Sequence, residues 1–133
     1  MTLTEFLAAR LDEDEAAAKA AQLRFPSPWS QAEAPGSPLP SAVSLYDARD
    51  ESVAVIRGSY AAAHIARHDP ARVLREVEAK RKILDQCVHS LSYKRPVPAG
   101  KRGEWALASL VAEALALPYA GHPDYDEAVR ALT

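Results

Sequence analysis

Five prolines fall within residues 26–40, at Pro26, Pro28, Pro35, Pro38 and Pro40, and no helix can run through them. Each removes a backbone donor, and its ring collides with the carbonyl one turn earlier. Ser27, Ser30, Gly36 and Ser37 are interleaved with them, so residues 26–42 read as an extended connector loop, placed inside one domain spanning residues 1–133. Trp29 is the exception in this polar stretch. A side chain that large folds back onto apolar surface as an anchor, with peptide binding as the functional alternative.

The connector leaves residues 1–25 to form an element of their own. Thr2 followed by Glu5 makes a capping box, and Leu3, Phe6, Leu7, Leu11, Ala18 and Ala21 recur at helical spacing. The spacing predicts a first helix of about 22 residues. Asp12, Glu13, Asp14 and Glu15 lie too deep in it to serve its N-terminal dipole. They read as a solvated face or an acidic docking stripe.

Beyond the connector, Val43 and Leu45, then Val53, Val55 and Ile56, are β-prone runs around a loose turn at residues 47–52. The resulting hairpin is marginal alone, so the first helix or the long central helix is expected to cover one face. A short helix over residues 60–67 should follow. Asp69 then stands as an N-cap with Pro70 in the first turn. The helix it starts runs to about residue 90 or 93, with Val73, Leu74, Val77, Leu84, Cys87, Val88 and Leu91 on one stripe. Glu76 with Lys80, and Glu78 with Lys82, are supporting pairs. Arg81 lies near the stripe, so its stem can cover the core edge while its charge reaches an acidic partner or solvent.

Residues 94–103 form a basic loop. Trp105, Leu107, Leu110, Val111, Ala114, Leu115 and Leu117 then mark a strongly apolar helix, expected to be the most buried. Pro118 ends it, and Asp124 with Glu127 caps a last short helix. The fold class is therefore mainly α, within α+β: four to five helices with one short β-hairpin between the first helix and the central ones.

With 48% hydrophobic and 7% aromatic residues, the apolar content is dominated by Ala and Leu, which suits closely packed helices. One cysteine, Cys87, excludes an internal disulfide. Residues 1–10 lack the pattern of a signal peptide, and no apolar run reaches the roughly 20 residues of a membrane span. A cytoplasmic location without a membrane partner is expected. The net charge of −2 hides a segregation: −5 over residues 1–51, +1 over 52–69, +6 over 70–102 and −4 over 103–133. Acidic and basic elements can dock on each other, or a basic face can meet an acidic partner.

His64 and His68, four apart, would project from one helix face at a spacing that holds a transition metal such as zinc, with His122 and Asp124 among the few further donors. Two partly exposed histidines closing a short helix explain the same residues through its C-terminal dipole. Nucleic-acid binding would rest on Arg72, Arg75, Lys80, Arg81, Lys82, Lys94, Arg95, Lys101 and Arg102, with Tyr93 for stacking. No groove-reading motif accompanies them. Cys87 falls on an apolar stripe, no serine occupies a recognised elbow, and five glycines leave little material for a phosphate loop.

Three runs are distinctive: FLAARLDEDEAAAKAA at residues 6–21, HIARHDPARVLREVEAKRKILD at 64–85 and ALPYAGHPDYDE at 116–127. Together they make the chain resemble an uncharacterised family of small actinobacterial and actinophage proteins, a domain of unknown function. The resemblance implies a host group and no activity. It draws attention to His64, His68, His122 and Asp124, while Gly121 stands where relatives often carry an acid, which weighs against metal coordination at that turn.

The residues favour a non-enzymatic interaction or accessory protein with an acidic and a basic face, needing no cofactor and associating with a protein partner or itself. A metal-binding protein or metal-dependent hydrolase, and a small DNA-associated factor, are the alternatives.

Overall fold

A computed structural model describes residues 1–33 and 42–132. Pro35, Pro38 and Pro40 lie outside the described residues. The chain is mainly α with a small antiparallel sheet. Its elements are α1 (Leu3–Arg24), β1 (Ser30–Glu33), β2 (Ala42–Tyr46), β3 (Ser52–Arg57), α2 (Ser59–Arg67), α3 (Pro70–Leu91), α4 (Arg102–Ala116) and α5 (Tyr125–Arg130). Two compact units are present, Met1–Glu13 with Val77–Thr133, and Asp14–Glu76. The divisions fall inside α1 and α3, so each helix contributes to both units.

The first unit begins with the expected capping box. The Thr2 N–H donates to Glu5 Oε2 at 2.8 Å and the Glu5 N–H to Thr2 Oγ1 at 3.2 Å. The backbone N–H of Thr2, then its hydroxyl, hold the Glu5 carboxyl below its usual range. Leu3, Phe6, Leu7 and Leu11 follow on one buried face, each at most 1% exposed. Removing each from water contributes about 1.5–3 kcal/mol before the entropy of ordering is counted. Phe6 is ringed edge-on by Tyr119, His122 and Tyr125, at centroid distances of 6.3, 5.4 and 6.2 Å. The core continues through Val77, Leu84 and Cys87 of α3 and through Ala108, Ala112, Ala116 and Ala128. Val88, assigned by spacing to the α3 stripe, is 44% exposed instead.

The second unit holds a three-stranded antiparallel sheet of order β1-β2-β3, one strand more than the expected hairpin. The added strand is β1, Ser-Gln-Ala-Glu, which lies within the connector and pairs with β2 from Ser30 opposite Tyr46 to Glu33 opposite Val43. None of its residues is β-branched or aromatic. Its strand state comes from its partner and not from its own propensity. Neither α1 nor α3 is the principal cover of the sheet. That role falls to α2, which packs on all three strands and buries Ala62. The reversal from β3 into α2 passes through Gly58 at φ 93°, a conformation that side chains rarely adopt.

The β2–β3 turn is tight, not loose. The carboxylate of Asp47 is buried and accepts the N–H groups of Arg49 at 2.8 Å and Glu51 at 3.0 Å. Such an Asx arrangement lets Asp50 take its positive φ of 59°. Arg49 also donates to the Arg24 carbonyl at 2.9 Å, bringing a cation to the negative end of α1. At the start of α3, Asp69 caps as its position predicts. Its Oδ1 accepts the Arg72 N–H at 3.0 Å, while Oδ2 accepts the Trp29 N–H at 3.1 Å. Trp29 is half-buried, and its indole N–H donates to the Phe25 carbonyl at 2.8 Å, so it is held at both ends.

Candidate functional site

The helix expected to be most buried turns its large side chains outward. In α4, Leu107 and Leu110 are 64% and 66% exposed, and Leu117, in the 3-10 turn that follows, is 62% exposed. Its buried face is built from Ala108, Ser109, Ala112 and Ala116. The leucine stripe and the alanine stripe are one position apart, or about 100° around the helix. Small side chains allow a close approach to the rest of the unit, and that approach selects the alanine side. Ser109 is the cost, because its buried hydroxyl has no hydrogen-bond partner among the described residues.

Leu107, Leu110, Ala114 and Leu117 are separated by three, four and three residues, the spacing of a coiled-coil seam. This ridge is flanked by two shallow apolar grooves. One of about 320 Å³ lies between α3 and α4, lined by Ile83, Cys87, Leu107 and Val111 among others. The other, of about 210 Å³, lies against α5 and is lined by Leu110, Glu113, Ala114, Leu117, Tyr125 and Val129. Leu107 borders the first groove and Leu110 the second.

The N-terminal end of the ridge is organised by polar contacts. Ser90 donates to Glu104 Oε1 at 2.7 Å, and Lys101 Nζ stands 3.2 Å from Glu104 Oε2 and 5.9 Å from the Tyr93 ring. The Ser90 hydroxyl first, then Lys101, draw the Glu104 carboxyl below its usual range. The same carboxylate first, then Tyr93, raise the Lys101 ammonium. Arg95 lies 4.6 Å over the Trp105 ring and also donates to the Leu132 carbonyl. On α5, beside the opposite end of the ridge, the exposed charges are Asp126, Glu127 and Arg130. Lys101 and Arg102 thus outnumber Glu104 at one end of the ridge, and two acids outnumber one base at the other.

The histidines divide between the units. His64 and His68, in the second unit, are exposed and stack at 4.5 Å between ring centroids. Nδ1 of His68 donates to the His64 carbonyl at 2.7 Å, which ties that nitrogen to the helix end. Two imidazoles are half of a zinc site, and among the described residues no group of three or more His, Cys, Asp or Glu side chains is arranged to hold a metal. His122 and Asp124 belong to the first unit. Nε2 of His122 lies 2.5 Å from Arg10 Nη1, and its Nδ1 lies 3.1 Å from the Asp124 backbone nitrogen and 3.9 Å from Asp124 Oδ2. A guanidinium only donates, so the Nε2 lone pair is already engaged.

Many of the basic candidates serve the fold. Arg72 pairs with Glu76 at 2.9 Å, Arg81 with Asp12 at 2.6 Å and Lys82 with Glu78 at 3.0 Å. Arg102 donates to the Val97 carbonyl at 3.4 Å. Arg75, Lys80 and Lys94 lie on or after α3, of which Arg75 and Lys94 are exposed and Lys80 is half-buried. Charge segregation along the chain is thus in part internal pairing, as in Arg81 with Asp12. Burial raises the Cys87 thiol, which leaves it a poor nucleophile.

Two features escaped the sequence reading. The outward leucines were assigned to the interior, although Ala108, Ala112 and Ala116 offered a second face at equally good spacing. Arg10 was also passed over, although it lies four residues after Phe6 on the apolar stripe of α1.

The profile of a family of unknown function, DUF6221, matches residues 1–131. No curated protein and no solved structure matches the chain.

Proposed function

The chain belongs to the DUF6221 family, a family of unknown function, and we propose that it acts as a non-enzymatic interaction protein that docks a helical protein partner on the outward face of α4. One observation carries this reading: three leucines in seam register are 62–66% exposed, between two apolar grooves. Apolar patches of this kind on a small chain mark interaction surfaces, because leaving them in water costs free energy that a partner recovers. The charged ends of the ridge supply a rim that orients the partner. Sequence grounds add an actinobacterial or actinophage origin and a cytoplasmic setting to the reading.

The experiment pairs two measurements on wild type and Leu110→Glu, namely fluorescence of the apolar dye 8-anilinonaphthalene-1-sulfonate and sedimentation velocity. An open face binds dye and a covered face reports association, and Leu110→Glu removes whichever signal is present. If the substitution changes neither, the reading is wrong.

A further inference from the structure

We infer that the occupant of the α4 face is a second copy of the same face, docked antiparallel about a two-fold axis that crosses the leucine seam between Leu110 and Ala114; this rests on the reading of α4 as a docking surface. The first argument is shape. An isologous contact needs a surface complementary to itself. A ridge of exposed leucines with a groove on each side meets that need, since the ridge of one copy seats beside the ridge of the other. The seam register fixes the pairing. With antiparallel helices, Leu107 lies opposite Leu117 of the partner subunit and Leu110 opposite Ala114 of the partner subunit. Large then meets small at the centre, as close packing requires.

The second argument is charge. Lys101 and Arg102 outnumber the exposed Glu104 at one end of the ridge, and Asp126 and Glu127 outnumber the exposed Arg130 on α5 at the other. Antiparallel docking sets basic against acidic twice, once at each end, whereas parallel docking sets like against like at both. Opposed charge at the rim selects orientation and speeds encounter. One feature opposes association. Glu113 precedes Ala114 and flanks the seam beside the axis, so it approaches Glu113 of the partner subunit. Like charges across an interface weaken it, and this pair exists only in the two-fold arrangement.

Sedimentation velocity over a range of protein concentration tests the inference. Wild type is expected to show a reversible monomer–dimer equilibrium, weakened at least about tenfold by Leu110→Glu. Glu113→Gln is expected to tighten it by about two- to fivefold. The decisive pair is charge-reversed. Lys101→Glu with Arg102→Glu makes both ends acidic, and Asp126→Lys with Glu127→Lys makes both ends basic, so each variant alone dimerises poorly and an equimolar mixture recovers a heterodimer. All four positions are exposed, and far-UV circular dichroism verifies that the variants fold. A mixture no better associated than its components overturns the antiparallel pairing. A wild type that stays monomeric while its dye signal still depends on Leu110 overturns self-association and leaves α4 as a docking face for a different protein. A monomer without such a dye signal overturns both.

Discussion

Arg10 and His122, 112 residues apart in the chain, meet at 2.5 Å inside the first unit, where the guanidinium donates to a lone pair of the imidazole. Arg10 is only 9% exposed and also reaches Glu13 at 2.7 Å and the face of Phe6 at 5.2 Å, while its Nε finds no acceptor among the described residues. A buried cation tolerates this only if its remaining donors are engaged. His122→Ala is therefore expected to lower stability by about 1–3 kcal/mol, from a charge-assisted bond lost and a buried donor left unmet. Urea unfolding of His122→Ala, Arg10→Met and the double variant measures it. A double variant no less costly than the sum of the singles would rule out the coupling.

On α4, side-chain size and stability should be inverted relative to a conventional amphipathic helix. Leu110→Ala removes an exposed side chain and is expected to change monomer stability by less than about 0.5 kcal/mol. Ala112→Leu forces three further carbons into a fully buried site and is expected to cost about 1–3 kcal/mol. Ser109→Ala relieves the unpartnered hydroxyl and is expected to raise stability by about 1 kcal/mol. Thermal and urea unfolding in dilute solution rank the three.

Acid should weaken the second unit through Asp47. Burial pushes its carboxyl upward, but the N–H groups of Glu51 and Arg49 with the Arg49 guanidinium outweigh that and leave it below the usual range. A carboxyl depressed in the folded state stabilises above its unfolded value, and that contribution disappears as pH falls through the folded value. Asp47→Asn is thus expected to be less stable than wild type near neutrality, with the gap closing on acidification. Urea midpoints of both proteins across the acid range check this; a gap that is constant with pH would exclude the carboxylate as its source.

Asp69 serves two backbone donors, one at the start of α3 and one at Trp29. Asp69→Ala is expected to cost about 0.5–2 kcal/mol for the lost cap alone. Asp69→Asn should recover the cap but not the bond to Trp29, because its amide has one accepting oxygen and its nitrogen only donates. Equal losses for the two substitutions would mean that the capping oxygen is not what matters.

Cys87 is 6% exposed, and burial raises its thiol. Its reaction with a disulfide reagent such as dithionitrobenzoate is expected to be slow in the native chain and fast in urea. Comparable rates in the two states would show that this part of the core opens readily.

Much of what local chemistry decides could be read from the sequence, although Asp124, expected to cap α5, makes no side-chain capping hydrogen bond among the described residues. The Thr2–Glu5 capping box and the Asp69–Pro70 start each act within a few residues, and both stand where the sequence places them. β1 could not be read because Ser-Gln-Ala-Glu has no strand preference without β2 beside it. The rotation of α4 was undecided because both of its candidate faces are apolar, and only packing against the rest of the unit chooses between leucine and alanine. His64 on α2 and His68 just past its end sit as neighbours, as four-residue spacing suggests. The Arg10–His122 contact spans too much chain for any spacing rule.

The alanine-lined inner side of α4 also bears on how the lineage can vary. Wherever the helix is pressed against its own unit, a side chain larger than serine has no room, so replacements there would be purged first. The outer leucines answer to whatever covers them, so they are free to change in step with that surface. Across descendants of this chain, the quiet columns would be the alanines and the restless ones the leucines, a pattern that a hydropathy profile would read backwards.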